Sequence, residues 1–185
     1  ACLCAGTQDK LKEQLEQHIS ADKIGHMTCL GRCHENAAFQ YNGKNYSDLS
    51  DSELASLFEQ ESLDKTDDYN IKHLGTPVLT ANYDKKELFA LVSDFLKQSP
   101  EAILEEIIAS GVRGRGGAGF PMGIKLEGCK KAPGKHKFIV CNADEGDPGA
   151  YSDRYLLEKQ PLLVLIGMMA AGFACGAEWG VLYIR

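Results

Sequence analysis

The sequence lacks a long hydrophobic run. Its longest apolar stretch without a charged residue, Pro161 to Ala177, falls short of the roughly 20 apolar residues that span a bilayer, and Gly167, Gly172 and Gly176 interrupt it. It reads as a buried helix. A basic excess is also missing: 20 Lys and Arg stand against 26 Asp and Glu, for a formal net charge of -6. That balance argues against a general nucleic-acid binder, whose surface would carry a basic patch. No secretory signal pattern opens the chain. Seven cysteines without such a signal point to a reducing compartment, where thiols bind metal or stay free. His18, His26, His34, His73 and His136 show no ligand spacing, and no internal repeat is visible.

What is present is enough for one medium domain or two small ones: 185 residues, 44% of them hydrophobic. Ala1 is not an initiator Met, "ACLC" reads like the end of a strand, and "GVLYIR" reads as a strand with nothing after it. The expectation is a part of a larger protein. Residues 1–61 read as a small α/β unit: a strand at 1–4, a helix near 8–20 with Leu11, Leu15 and His18–Ile19 on one face, and a hairpin turning at Asn42–Gly43. Ser50 and Glu53 make a capping-box pattern before "LASLFEQ". Residues 62–82 are polar and turn-rich and read as a linker. From residue 83 to 185 the pattern is again α/β. Asp84 and Glu87 start one helix; Ser99 caps another with Pro100 at its first position. A short helix near 123–131, the strand "KFIVC", a helix near 152–159, the apolar helix after Pro161 and a final strand follow.

Two stretches carry chemistry. "SGVRGRGGAGFPMG" crowds six glycines and two arginines into residues 110–123. Gly114, Gly116 and Gly119 match G-x-G-x-x-G, but a helix precedes the match and Phe120–Pro121 delays the next one, so the ordinary Rossmann fingerprint fails. What survives is a run of bare N–H groups beside guanidinium charge, a cradle for an anion such as phosphate. The competing reading is a flexible surface turn. The second stretch, "CNADEGDPGAYSDR", follows an apolar strand, and ligands of α/β sheets bind outside the carboxyl ends of strands. Asn142, Asp144, Glu145 and Asp147 are placed there to meet sugar hydroxyls or a carboxamide. The competing reading is a solvated acidic turn built on Asp147–Pro148–Gly149.

Taken together, "RGRGGAGFPMGIK" and "VCNADEGDPGAYSDR" resemble the family of FMN- and NADH-binding subunits found in respiratory complex I, NAD-reducing hydrogenases, NAD-dependent formate dehydrogenases and electron-bifurcating hydrogenases. The resemblance covers residues 100–185. It implies part of a Rossmann-like FMN/NADH-binding domain. In that family the glycine loop wraps the flavin and its phosphate. By position, Gly114, Arg115, Gly116, Gly117, Ala118 and Gly119 would form the loop, and Lys125 would contact FMN. Asn142 and Asp144 would hold it from the strand end, with Glu145 alongside. Phe120 would line the adenine side of the NADH cleft, Asp147 would lie near the nicotinamide carboxamide, and Tyr183 would close the flavin site. The residue after the loop lysine is usually aromatic in the family but is Leu126 here, and Gly128 stands where an aromatic follows in complex I members. The expectation is adenine stacking that is weaker or differently built. No catalytic side chain is implied, since the chemistry belongs to the cofactor.

Some members of the family carry an N-terminal thioredoxin-like ferredoxin module with a 2Fe–2S cluster. "CAGTQD" matches its first cysteine stretch from Cys4 with Asp9 in place of the second cysteine, and "CLGRC" matches the second stretch in full. Cys2 could replace the missing ligand, because residues two apart on a strand point to the same side. Cys2, Cys4, Cys29 and Cys33 would then give the four thiolates such a cluster needs. A Cys4 zinc site, for which C-x-C is tight, and a module holding no metal stay open as alternatives. Cys129, Cys141 and Cys175 read as core thiols, Met168 and Met169 as core gap-fillers, and Trp179 as a packed helix end.

The expected architecture is therefore α/β: a thioredoxin-like 2Fe–2S module at 1–61, a linker at 62–82, and the front part of an FMN/NAD(H)-binding domain at 83–185. The expected function is that of a diaphorase-type, NAD(H)-linked electron-transfer subunit, using FMN, NAD(H) and a 2Fe–2S cluster. Its partners would be other iron–sulfur subunits and a hydrogenase, formate dehydrogenase or quinone-reducing unit. It would lie in the cytoplasm or on the cytoplasmic face of a membrane complex, with no nucleic acid and no membrane span of its own. A non-catalytic scaffold with a relic flavin loop is the rival reading, and a hydrolase using the acidic turn is a distant third.

Overall fold

The computed structural model describes residues 5–27, 29–32, 35–64, 71–147 and 149–184. The expected strand at 1–4 lies outside them. The chain is a mixed helix-and-sheet protein with two compact units: residues 1–73 with 146–151, and residues 74–145 with 152–185.

In the first unit, helix α1 (Thr7–Glu16) is followed by a short 3-10 turn at Ala21–Lys23. Strands β1 (Phe39–Tyr41) and β2 (Lys44–Tyr46) pair antiparallel, with Phe39 opposite Tyr46. The two-residue turn between them needs left-handed backbone at both positions. Asn42 at φ 48° and Gly43 at φ 77° supply it, as their residue types predict. Helix α2 (Asp51–Gln60) starts at the expected capping box: Glu53 N donates to Ser50 Oγ at 3.3 Å and Ser50 N donates to Glu53 Oε2 at 2.7 Å. Leu54 and Leu57 of α2 close a core with Leu15, Phe39 and Tyr46. The Phe39 and Tyr46 rings stack at 5.6 Å across the hairpin.

The second unit begins with α3 (Lys85–Phe95), where Lys86 N donates to Asp84 Oδ1 at 3.0 Å, and α4 (Pro100–Ala109), where Ala102 N donates to Ser99 Oγ at 3.1 Å. Both starts follow from the cap residues in the sequence. After the glycine loop come α5 (Met122–Lys131), β3 (Phe138–Ala143), α6 (Ser152–Lys159), α7 (Pro161–Cys175) and β4 (Trp179–Ile184). Strands β3 and β4 pair parallel, Phe138 beside Trp179 through Ala143 beside Ile184. A parallel pair needs a long crossover, and α6 with α7 provides it. Phe95, Ile103, Leu104, Leu126, Ala171, Ala174 and Cys175 form the core beneath the sheet. Residues before α3 also pack in this unit: Gln160 Nε2 donates to the Ala81 carbonyl at 2.7 Å.

Helix α7 differs from its expected burial. Its second half is buried at Ala171, Gly172, Ala174 and Cys175, whereas Leu165 and Met169 are 42% and 49% exposed. Met169 is therefore not a core gap-filler. Trp179 is not a packed helix end either. The helix stops at Gly176, whose φ of 74° breaks the α-helical path, and Trp179 opens β4 with 61% exposure. Alternation along the two strands puts Phe138, Val140, Asn142, Trp179, Val181 and Tyr183 on one face. Among the described residues, no single helix is long and apolar enough to cross a membrane.

Candidate functional site

The glycine loop is a pinched ring between two helices. Gly111, at φ 65°, turns the chain out of α4. The two arms of the loop then pair: Met122 N donates to the Val112 carbonyl and Gly114 N to the Phe120 carbonyl, each at 2.9 Å. Arg113 Nη1 donates to the Gly119 carbonyl, also at 2.9 Å, so this arginine clasps the neck of the loop from inside. Gly117 at φ 129° and Gly119 at φ 60° take backbone conformations that a Cβ disfavours. Among the described residues, the N–H groups of 115–119 donate to no protein acceptor. The result is a short arc of unused backbone donors with Arg115 on it.

Helix α5 carries the second cation to the same place. Lys125 sits in its first turn, and a Cβ added at Gly114 would lie 3.8 Å from Lys125 Nζ. The same Nζ lies 5.9 Å from the centre of the Phe120 ring, within cation–π range. Phe120 is 45% exposed and presents its ring beside the loop. The seat of α5 depends on Gly123. A Cβ there would lie 2.5 Å from Ile108 Cγ1 and 2.9 Å from Ile108 Cα, so only glycine lets α5 approach α4 this closely. Sequence reasoning missed this residue. The available signal was a glycine inside a helical pattern, which costs about 1 kcal/mol against alanine and so points to a packing reason.

Leu126 points inward from α5. It is 6% exposed and packs in the core with Phe95 and Ile103. A side chain facing the core stands away from the loop, where the exposed Phe120 ring lies. Gly128 is exposed, and a Cβ there would meet nothing within 4 Å.

At the end of β3, Asn142 is exposed, and its Oδ1 accepts from Asp144 N at 3.1 Å, which turns the chain sharply out of the strand. Tyr183 of β4 is the register partner of Asn142, shares its face and is 58% exposed. The parallel pairing thus brings together two predicted site residues 41 positions apart (183 − 142). Glu145 faces α6. Its carboxylate accepts from Asp153 N at 3.1 Å, Arg154 N at 3.0 Å and Ser152 Oγ at 3.1 Å, which satisfies orphan donors at that helix start. Asp147 belongs to the segment grouped with the first unit. Its Oδ1 accepts from Gly149 N at 3.0 Å and its carbonyl from Ala150 N at 2.9 Å. Beside this site, burial pushes the Cys141 thiol pKa up, with the Asp153 carboxylate adding to it.

Of the four proposed cluster ligands, Cys2, Cys4 and Cys33 lie outside the described residues. Cys29 is exposed, and its Sγ accepts from Gly31 N at 3.4 Å. Among the described residues, no three His, Cys, Asp or Glu side chains come together as a metal site.

Comparison with known proteins points one way. Residues 107–185 match the family described as the Nuo51 FMN-binding domain. The chain is 43% identical over 101 residues to the alpha chain of the NAD-reducing hydrogenase HoxS of Cupriavidus necator, an alignment covering 55% of this chain and 17% of that protein. It is 46% identical over 87 residues to one of the NADH-quinone oxidoreductase subunits of Rhizobium meliloti, covering 47% of this chain and 21% of that one. The alignments therefore take in about a fifth of these relatives' length. Among solved structures, an NAD+-reducing NiFe-hydrogenase in the H2-reduced state superposes with a TM-score of 0.69 at 29% identity, covering 100% of this chain and 35% of that one.

Proposed function

We propose, from the premise that residues 107–185 belong to the Nuo51 FMN-binding domain family, that this chain is a diaphorase-type part of an NAD(H)-linked flavoprotein oxidoreductase. It would pass hydride between NAD(H) and FMN and single electrons between FMN and iron–sulfur clusters. The observation that carries the reading is the pinched glycine loop, whose N–H groups at 115–119 are free beside Arg115 and Lys125. That donor set fits the phosphate of a flavin nucleotide.

Bound FMN would supply the exchange between two-electron nicotinamide chemistry and one-electron iron–sulfur chemistry. The chain's own residues would bind and orient. Gly114, Gly116, Gly117, Ala118 and Gly119 would give backbone close to the ligand, with Arg115 and Lys125 as counter-charge. Asn142 and Asp144 would hydrogen-bond sugar-like hydroxyls, and Tyr183 would stand beside Asn142. Phe120 would offer its ring to adenine, and Asp147 its carboxylate to the carboxamide. Glu145 would act by holding α6 in place behind the acidic turn.

The first unit is proposed as a thioredoxin-like module binding a 2Fe–2S cluster through Cys2, Cys4, Cys29 and Cys33. The cysteine spacing supports this, as does a likeness to the NAD+-reducing hydrogenase that extends over the whole chain. The domain limits proposed are 1–61 for this module and 83–185 for the flavin domain, joined by 62–82. The same likeness favours an NAD-linked hydrogenase assembly over a formate dehydrogenase or quinone-reducing unit; the partners proposed are other iron–sulfur subunits, and the place proposed is the cytoplasm or the cytoplasmic face of a membrane complex.

Titration of FMN with the purified chain, followed by flavin fluorescence, tests the reading. Saturable quenching is expected. Lys125→Ala should weaken it about tenfold to a hundredfold, the range for one charge-assisted hydrogen bond. Absence of saturable quenching would contradict it.

A further inference from the structure

The Gly119–Phe120 peptide lies at the neck of the glycine loop with its carbonyl turned back on Arg113. The peptides after it are held by backbone. The Phe120 carbonyl accepts from Gly114 N and Met122 N donates to the Val112 carbonyl, each at 2.9 Å, and Arg113 bridges Pro121 antiparallel. Among the described residues, the Gly119–Phe120 peptide has no such backbone partner. Its carbonyl accepts from Arg113 Nη1 at 2.9 Å, and Phe120 N donates to no protein acceptor. Gly119, at φ 60°, has no Cβ, and one added there would meet nothing within 4 Å. Neither side-chain sterics nor packing opposes rotation of this peptide, so one side-chain hydrogen bond decides which way it faces.

We propose that Arg113 is a positioning residue for the anion of the flavin site: it holds the Gly119–Phe120 peptide against flipping, so that this peptide offers a phosphate its N–H and not its carbonyl. A trans peptide carries its N–H and C=O in opposite directions. With the Gly119 carbonyl turned to the guanidinium, the Phe120 N–H points away from it and extends the run of free N–H groups at 115–119. A flip changes ψ of Gly119 and φ of Phe120 and reverses both groups. It would put a partly negative oxygen where a donor stood and turn a peptide dipole of about 3.5 D against the anion. Arg115 and Lys125 act as counter-charge, whereas Arg113 acts through the carbonyl it holds. Donors fixed in advance need no reorganisation when the anion arrives.

The ligand rests on the flavin reading, the peptide orientation on the loop geometry alone, and two measurements on the full chain separate them. Arg113→Met keeps the apolar stem and loses the donor. By NMR, the NOE between Gly119 Hα and the Phe120 N–H reports ψ of Gly119. Its intensity should change in Arg113→Met and return in Arg113→Lys, whose ammonium can donate to the same carbonyl. By fluorescence titration, Arg113→Met should weaken FMN about tenfold or more, the size for losing a hydrogen bond to a charged group, and Arg113→Lys should weaken it less. Riboflavin, the same flavin without the phosphate, should lose far less. The FMN loss should persist in salt of about 1 M, where charges are screened beyond about 3 Å.

An unchanged NOE in Arg113→Met overturns the proposal, as do equal losses for FMN and riboflavin. A loss of FMN affinity that vanishes in high salt makes Arg113 a plain counter-charge and also overturns it. A wild-type chain that binds no FMN overturns the flavin reading and the anion's part with it, and the NOE still decides whether Arg113 sets the peptide.

Discussion

Replacing Gly123 by alanine tests how the glycine loop is seated. The added Cβ would lie 2.5 Å from Ile108 Cγ1, 2.9 Å from its Cα and 3.2 Å from its Cβ. A rotamer change can move Cγ1 but not Cα, so α4 and α5 must separate. Overpacking of this kind costs about 1–3 kcal/mol, and a backbone contact belongs in the upper half of that range. Alanine regains about 1 kcal/mol of helix propensity, which leaves a net loss of about 1–2 kcal/mol. For a chain of this size that lowers the thermal midpoint by about 2–8 °C. Gly128 on the same helix is the internal control. Its Cβ would meet open space, so Gly128→Ala should raise stability by about 0.5–1 kcal/mol. Calorimetry or thermal circular dichroism on both variants reads the result. Two substitutions of the same kind on one helix should move the midpoint in opposite directions. If Gly123→Ala also raises it, the close approach of α4 and α5 is refuted.

Other perturbations address separate contacts. Glu145→Ala removes the acceptor at the start of α6 and should cost about 0.5–2 kcal/mol, read by chemical denaturation; Glu145→Gln, which keeps one carbonyl oxygen there, should cost less. Arg113→Ala removes the clasp on the Gly119 carbonyl and should weaken FMN binding, measured by fluorescence titration, with little change in secondary structure by circular dichroism. The Glu101–Lys130 ion pair at 2.6 Å, chiefly through its hydrogen bond, lowers the Glu101 pKa. Its contribution is therefore present above the ordinary carboxylate range and lost as pH falls through the lowered value. Glu101→Gln should flatten that part of the stability–pH curve, and an unchanged curve would deny the pair any role.

Much of the local structure was legible because single residues decide it. Ser50, Asp84 and Ser99 start helices by accepting orphan N–H groups, and Asn42–Gly43 fixes the hairpin through two left-handed positions. The glycine loop and the strand-end turn were legible as motifs. The clasp of Arg113 on Gly119 was not, because a sequence shows the charge and not the carbonyl it finds. Glu145 looked like a ligand-facing acid, and only the path of the chain back to α6 gives its carboxylate three donors. The burial of Leu126 was not legible, because a departure from a family pattern says nothing about which face of the helix it occupies. Trp179 and Met169 were misjudged for a related reason: apolar character suggests burial, but exposure depends on what packs against that face.

The central claim is that this chain serves an NAD(H)-linked flavin. Its most direct test is an anaerobic visible spectrum of the native assembly carrying the chain, before and after NADH addition, with released flavin confirmed by fluorescence after denaturation. The account predicts FMN in the released fraction and flavin absorbance that bleaches with NADH. An assembly that releases no flavin and shows no bleaching would contradict it.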